Sequence, residues 1–146
     1  MYAVLDHAHS GLRYVVIALL LAAIFQALGK RRSGVVYPEK NKLGLYAFMA
    51  THIQLLLGLV LYLFLSEWVV FDENTMSSKI NRFYSVEHIT GMLVGIVLIT
   101  VGYIKAKRHA GINKGWKTIA TYYGIGLLII LVMIPWPFRD LGAGWF

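Results

Sequence analysis

Seven polar side chains sit inside stretches otherwise fit only for lipid: His9, Arg13, Gln26, His52, Gln54, Glu87 and His88. Such groups are costly within a membrane, so they face a bundle interior and tend to mark a site. Imidazole is the commonest metal ligand and carries protons near neutral pH. Three histidines in this setting, His9, His52 and His88, therefore point to a bound metal or a haem iron. Each also has a plainer structural reading, because an unpartnered imidazole in apolar surroundings costs free energy. His9 would be a solvated side chain at the interface, His88 a hydrogen-bonded partner of Glu87, and His52 bonded to a neighbouring helix. His7 and His109 lie outside the apolar stretches and read as surface residues.

Depth separates the three. From the helical rise, His9 lies roughly 15 Å and His88 roughly 9 Å outward of the centres of their apolar stretches. His52 lies near the midplane, about 10 Å or more deeper than His88. Two axial imidazoles must reach one iron from opposite sides, and His9 and His88 match that requirement best. His52 is left as an alternative ligand, a quinone site or a proton relay. Arg13, one turn from His9 on the same helix face, would offer a cation to a haem propionate. Gly91, Gly95 and Gly102 follow His88 along one stripe. That stripe is either a bare wall for a flat macrocycle or a seam where two membrane helices pack closely. The chain has no cysteine. Disulfides, iron–sulfur clusters and thioether-bound haem are thereby excluded, and any haem would be held without a thioether link.

The elements that must hold these residues follow from composition. Hydrophobic residues make up 58% of the 146 and charged residues 14%, against roughly 25% charged in soluble domains. The mean hydropathy is +0.64, too high for a small soluble core, which leaves much of its surface in water. The net charge of +7 comes with 14% aromatic residues and long apolar runs, which does not fit a basic nucleic-acid module. Residues 1–10 carry Asp6, His7 and His9 rather than a basic run, so they are not expected to be a cleaved signal peptide.

Four apolar stretches, about Ser10–Leu28, Leu43–Leu65, Phe83–Ile104 and Thr118–Trp136, are each long enough for a transmembrane helix. Of the 14 basic residues, five lie between the first two stretches (Lys30, Arg31, Arg32, Lys40, Lys42) and five between the last two (Lys105, Lys107, Arg108, Lys114, Lys117). The positive-inside rule places both loops in the cytoplasm. Trp68, Trp116 and Trp136 are expected as interfacial anchors. Connections of roughly 12 to 18 residues make sequential helices antiparallel neighbours. The expectation is an all-α, single-domain membrane protein over residues 1–146: a four-helix up-down-up-down bundle with both termini outside.

The strings His9-Ser-Gly-Leu-Arg13-Tyr, His52-Ile-Gln-Leu-Leu-Leu-Gly58, Arg82-Phe-Tyr-Ser-Val-Glu87-His88 and Ile134-Pro-Trp-Pro-Phe138-Arg run through the whole chain. In these it resembles small four-helix membrane proteins of Bacteroidota generally labelled cytochrome b or cytochrome b-like. It is more weakly similar to one half of haem A synthase, a four-helix bundle with a histidine near the outer end of two diagonal helices. In that family an acid precedes a His-Arg pair. Here three residues separate His9 from Arg13, and Glu87 lies on the other histidine helix, so only the haem-bundle geometry carries over. The resemblance implies a multi-pass protein of the bacterial inner membrane. It would bind haem b at His9 and His88, with Gly91 and Gly95 along the macrocycle, and transfer electrons with quinol or a respiratory-chain partner. A larger respiratory complex or a homo-oligomer would be its protein context. The competing expectation is a cofactor-free accessory subunit that packs against a larger membrane complex.

Overall fold

The computed structural model describes residues 2–145, which form helices and turns with no strand among them. Four helices are long and apolar enough to cross a membrane: α1 (Tyr2–Arg32), α2 (Lys42–Leu65), α3 (Lys79–Lys107) and α4 (Lys114–Met133). Their ends are written in local chemistry. The Asn41 side chain accepts from Gly44 N–H at 3.2 Å to open α2, and Ser78 Oγ accepts from Asn81 N–H at 3.3 Å to open α3. Each satisfies an amide that the first helical turn leaves free. The last turn of α1 is Lys30, Arg31 and Arg32, cations that favour the negative end of the helix dipole. Gly34, at φ 70°, then turns the chain away in a left-handed conformation that glycine adopts without strain. α1 begins well before the apolar stretch expected to start near Ser10, so His9 sits inside a helix.

The outward surface is apolar. Val15, Leu21 and Phe25 of α1, Met49, Ile53 and Leu56 of α2, Val94 and Val97 of α3, and Leu128 and Val132 of α4 are all exposed. A skin of this kind is suited to hydrocarbon, where every backbone polar group is satisfied within its own helix. The close-packed core lies towards the end where α1 finishes and α2 begins, around Leu20, Ala23, Ala47, Ile99, Ile119, Tyr123 and Leu127. There the Tyr123 hydroxyl donates to the Gly44 carbonyl at 2.7 Å. Trp116 corrects an expectation. It is not an exposed anchor but is 3% exposed, set edge-on to Tyr37 with ring centres 4.8 Å apart.

α3 and α4 share the most extensive contact, α1 packs on both α2 and α4, and α2 meets α3 along only a thin seam. The glycine stripe lies in the α3–α4 contact. A Cβ on Gly91 would fall 2.3 Å from Met133 Cγ, and one on Gly102 would fall 2.3 Å from Tyr122 Cβ. Gly95 and Gly126 cross so closely that a Cβ on either would lie 3.0 to 3.2 Å from the other's carbonyl oxygen. Gly102→Ala is therefore expected to destabilise the bundle by about 1–3 kcal/mol through overpacking. Gly124→Ala, where nothing lies within 4 Å, should be neutral or stabilising by up to about 1 kcal/mol. Thermal unfolding of the two variants in detergent measures the contrast.

Candidate functional site

At the end away from the close-packed core the helices part around a cavity of about 450 Å³. α1 supplies Asp6, His9, Arg13 and Val16, α3 supplies Tyr84, His88, Met92 and Ile96, and α2 supplies Thr51, Gln54 and Gly58. These spacings of three and four residues put each set on one helix face. Ile130 and Ile134 close the α4 side, while Trp68 and Gly142–Gly144 cover the end. Beside the cavity a π turn ends α2 at Leu61–Leu65, and another interrupts α3 at Phe83–Glu87. Such wide turns insert a residue into the helix and recur at functional sites. Tyr62 of the first donates its hydroxyl to the Ser85 carbonyl of the second at 2.7 Å.

His88 follows directly on the second π turn. Its Nδ1 lies 2.8 Å from the Met133 carbonyl. That carbonyl is available because α4 ends at Met133 and the residue four positions on, Pro137, has no N–H to donate. A carbonyl only accepts, so Nδ1 carries the proton and Nε2 presents its lone pair. Nε2 has no hydrogen-bond partner among the described residues. Glu87 does not pair with His88. Its carboxylate meets Arg82 Nε at 2.7 Å.

His9 is held by its backbone, and its ring lies beside the Gln54 backbone of α2. Gln54 Nε2 donates to the His9 carbonyl at 2.8 Å. The ring lies against α2, where a Cβ on Gly58 would be 3.0 Å from its Cε1. His9 Nδ1 is buried without a hydrogen bond among the described residues. Arg13 is 8% exposed. Its guanidinium donates to the Trp145 carbonyl and, at 3.4 Å, to the Gly144 carbonyl, while Nε makes no bond among the described residues. Arg13 thus ties the C-terminal tail over the cavity, a role that its place in the sequence did not announce.

The other expected site residues lie elsewhere. His52 Nδ1 meets the Phe48 carbonyl at 2.8 Å, and Nε2 meets the Thr100 hydroxyl of α3 at 3.2 Å. With both nitrogens engaged, His52 is off the cavity and joins α2 to α3. Gly91 and Gly95 face α4 rather than the cavity, so neither forms the bare wall expected of it. His7 is exposed, and His109 Nδ1 lies 3.4 Å from the Thr118 hydroxyl. Among the described residues no group of three or more His, Cys, Asp and Glu could hold a metal ion by itself.

Tyr84, Gly58 and the Gly142–Gly144 tail also shape the cavity. The Tyr84 hydroxyl donates to the Leu141 carbonyl at 3.1 Å, and Gly142 admits the Trp68 ring, which would lie 3.2 Å from a Cβ there. The spacing of Gly58 from Gln54, one turn on, is the only sequence signal among them. No protein-family model, curated protein or solved structure matches the chain. Because Thr100 can still donate to the Ile96 carbonyl at 2.8 Å, His52→Leu leaves no orphaned donor. It is expected to cost no more than about 1 kcal/mol and to keep the fold, as read by unfolding in detergent.

Proposed function

We propose that the protein is a b-type haem-binding membrane protein that passes electrons within the bilayer, with His9 and His88 as axial ligands. The observation that carries this reading is two imidazoles, on α1 and α3, lining one cavity, each with one ring nitrogen, His9 Nδ1 and His88 Nε2, that makes no hydrogen bond among the described residues. Two imidazoles cannot hold a bare metal ion tightly. They complete six-coordination around a macrocycle that brings four nitrogens of its own. The cavity volume falls in the range of cofactor sites.

Bound haem would supply one-electron redox chemistry. The chain's own residues prepare the site. The Met133 carbonyl fixes the His88 tautomer and raises the basicity of Nε2, as partners behind ligating histidines do. Gln54 positions the His9 backbone, and Gly58 leaves room for its ring. Met92, Ile96 and Ile130 keep water from the walls. Arg13 places a buried cation beside the mouth, where its unpaired Nε can meet a propionate. The electron partner in this reading is quinol or a component of a respiratory complex, in the bacterial inner membrane, and self-association is compatible with it. The resemblance to cytochrome b-like proteins of Bacteroidota favours the same chemistry.

The arrangement we infer is an up-down-up-down bundle with both termini outside. Ten of the 14 cations lie in the two loops that join α1 to α2 and α3 to α4. The chain has no native cysteine, so single cysteines report orientation directly. In intact cells an impermeant thiol reagent should label Asn74→Cys and spare Ser33→Cys. The reverse pattern would invert the orientation.

The purified protein is expected to carry about one haem b per chain with a low-spin, six-coordinate spectrum and sharp reduced α and β bands. His9→Ala and His88→Ala should each abolish that spectrum, whereas His7→Ala, His109→Ala and His52→Leu should preserve it. Loss of the spectrum in the His52 variant with its retention in the His9 variant would refute the pairing. A colourless preparation from haem-replete cells would favour a cofactor-free accessory subunit instead.

A further inference from the structure

The opposite end of the bundle holds a second concavity, and nothing in the haem reading uses it. A groove of about 520 Å³ lies between the end of α1, the following loop and the start of α2. Lys30, Lys40 and Lys42 line it, and no carboxylate does. None of the three pairs with an acid, since the ion pair of Arg82 and Glu87 is the only one among the described residues.

Surface lysines alone would make no site, but buried polar groups stand beside them. Trp116 and Asn41 both line the groove and are 3% and 5% exposed. Trp116 Nε1 is buried without a partner among the described residues. Asn41 spends Oδ1 on capping α2, and its Nδ2 lies near the Tyr37 hydroxyl without forming a hydrogen bond of proper geometry. An unsatisfied buried donor carries a desolvation penalty that a bound acceptor removes. The start of α2 adds the positive end of a long helix, with first-turn amides beyond the one that Asn41 caps. Cations, spare N–H donors and a helix N-terminus all favour a phosphate group. Val35, Val36 and Tyr46 line the same groove and are exposed, continuing into the apolar outer face of α2 at Met49. A ligand here meets charge at one side and hydrocarbon at the other.

We propose that this groove binds the phosphate headgroup of an anionic phospholipid, with its acyl chains lying along the outer face of α2. Basic pockets between membrane helices on the cytoplasmic side are suited to such headgroups. The site lies at the end remote from His9 and His88 and does not depend on what the cavity there binds.

The test uses the full chain purified in detergent, with melting temperature and native mass spectrometry as readouts. Phosphatidylglycerol should raise the melting temperature and remain bound as a discrete adduct, whereas phosphatidylcholine should do neither. The double variant Lys30→Ala/Lys42→Ala should retain phosphatidylglycerol about tenfold more weakly or worse. Asn41→Asp keeps a capping oxygen for α2 but replaces the donor with a negative charge, so it should lose the adduct while its melting temperature without lipid stays near that of the wild type. Trp116→Phe, which keeps the ring and removes Nε1–H, should also weaken the adduct. Equal effects of the two lipids, or an undiminished adduct in both the lysine and Asn41 variants, would overturn the proposal. Inorganic phosphate giving the same stabilisation as phosphatidylglycerol at equal concentration would overturn the lipid as the source of the phosphate.

Discussion

The close crossing of α3 and α4 is the constraint on which the rest of the bundle depends. Gly91, Gly95 and Gly102 let α4 approach until Gly95 and Gly126 nearly touch through their backbones. In hydrocarbon there is little hydrophobic force between helices, so such dense contact between small residues is what holds them. The same crossing sets Met133 at the level of Gly91, and the Met133 carbonyl then reaches His88 Nδ1 one turn away. The glycines thus act on the histidine indirectly, by fixing the register of the helix that orients it. They do not serve as a wall for whatever the cavity holds.

Prolines complete that arrangement. Pro135 and Pro137 stop α4, free the Met133 carbonyl and send the tail back across the end of the bundle. Arg13, Tyr14 and Tyr84 take up the tail's carbonyls at Trp145, Gly144 and Leu141. The two ends of the molecule therefore differ in kind. One is small residues and buried aromatics in contact. The other is a chamber whose walls are helix faces and whose cover is a loop and a tail.

The four helices were legible because each carries an apolar run longer than any soluble core strand or helix requires. The true start of α1 was not, since hydropathy detects the lipid-facing part of a helix. Residues 2–9 are polar where they face the chamber mouth. Depth along the helices placed His9 and His88 together and set His52 apart, and the chamber is lined by the first two and not the third. Helical periodicity told that Gly91 and Gly95 share a stripe with His88, but not which neighbour the stripe meets. That is decided by side-chain direction around the helix, which a π turn just before His88 also alters. Trp116 misled for a related reason: an aromatic at a helix end reads as an anchor whether it faces the lipid or, as here, a buried tyrosine.

The π turns set the chamber end of α2 and α3 apart from the rest of the bundle. Both wide turns lie at the chamber end of α2 and α3, a pair of helices joined along only a thin seam. The Tyr62–Ser85 bond crosses that seam beside the chamber, and the His52–Thr100 contact crosses it further along. The chamber therefore has flanks of two kinds: α3 and α4 are joined by backbone contact at their glycines, whereas α2 and α3 are joined by two polar side-chain bridges.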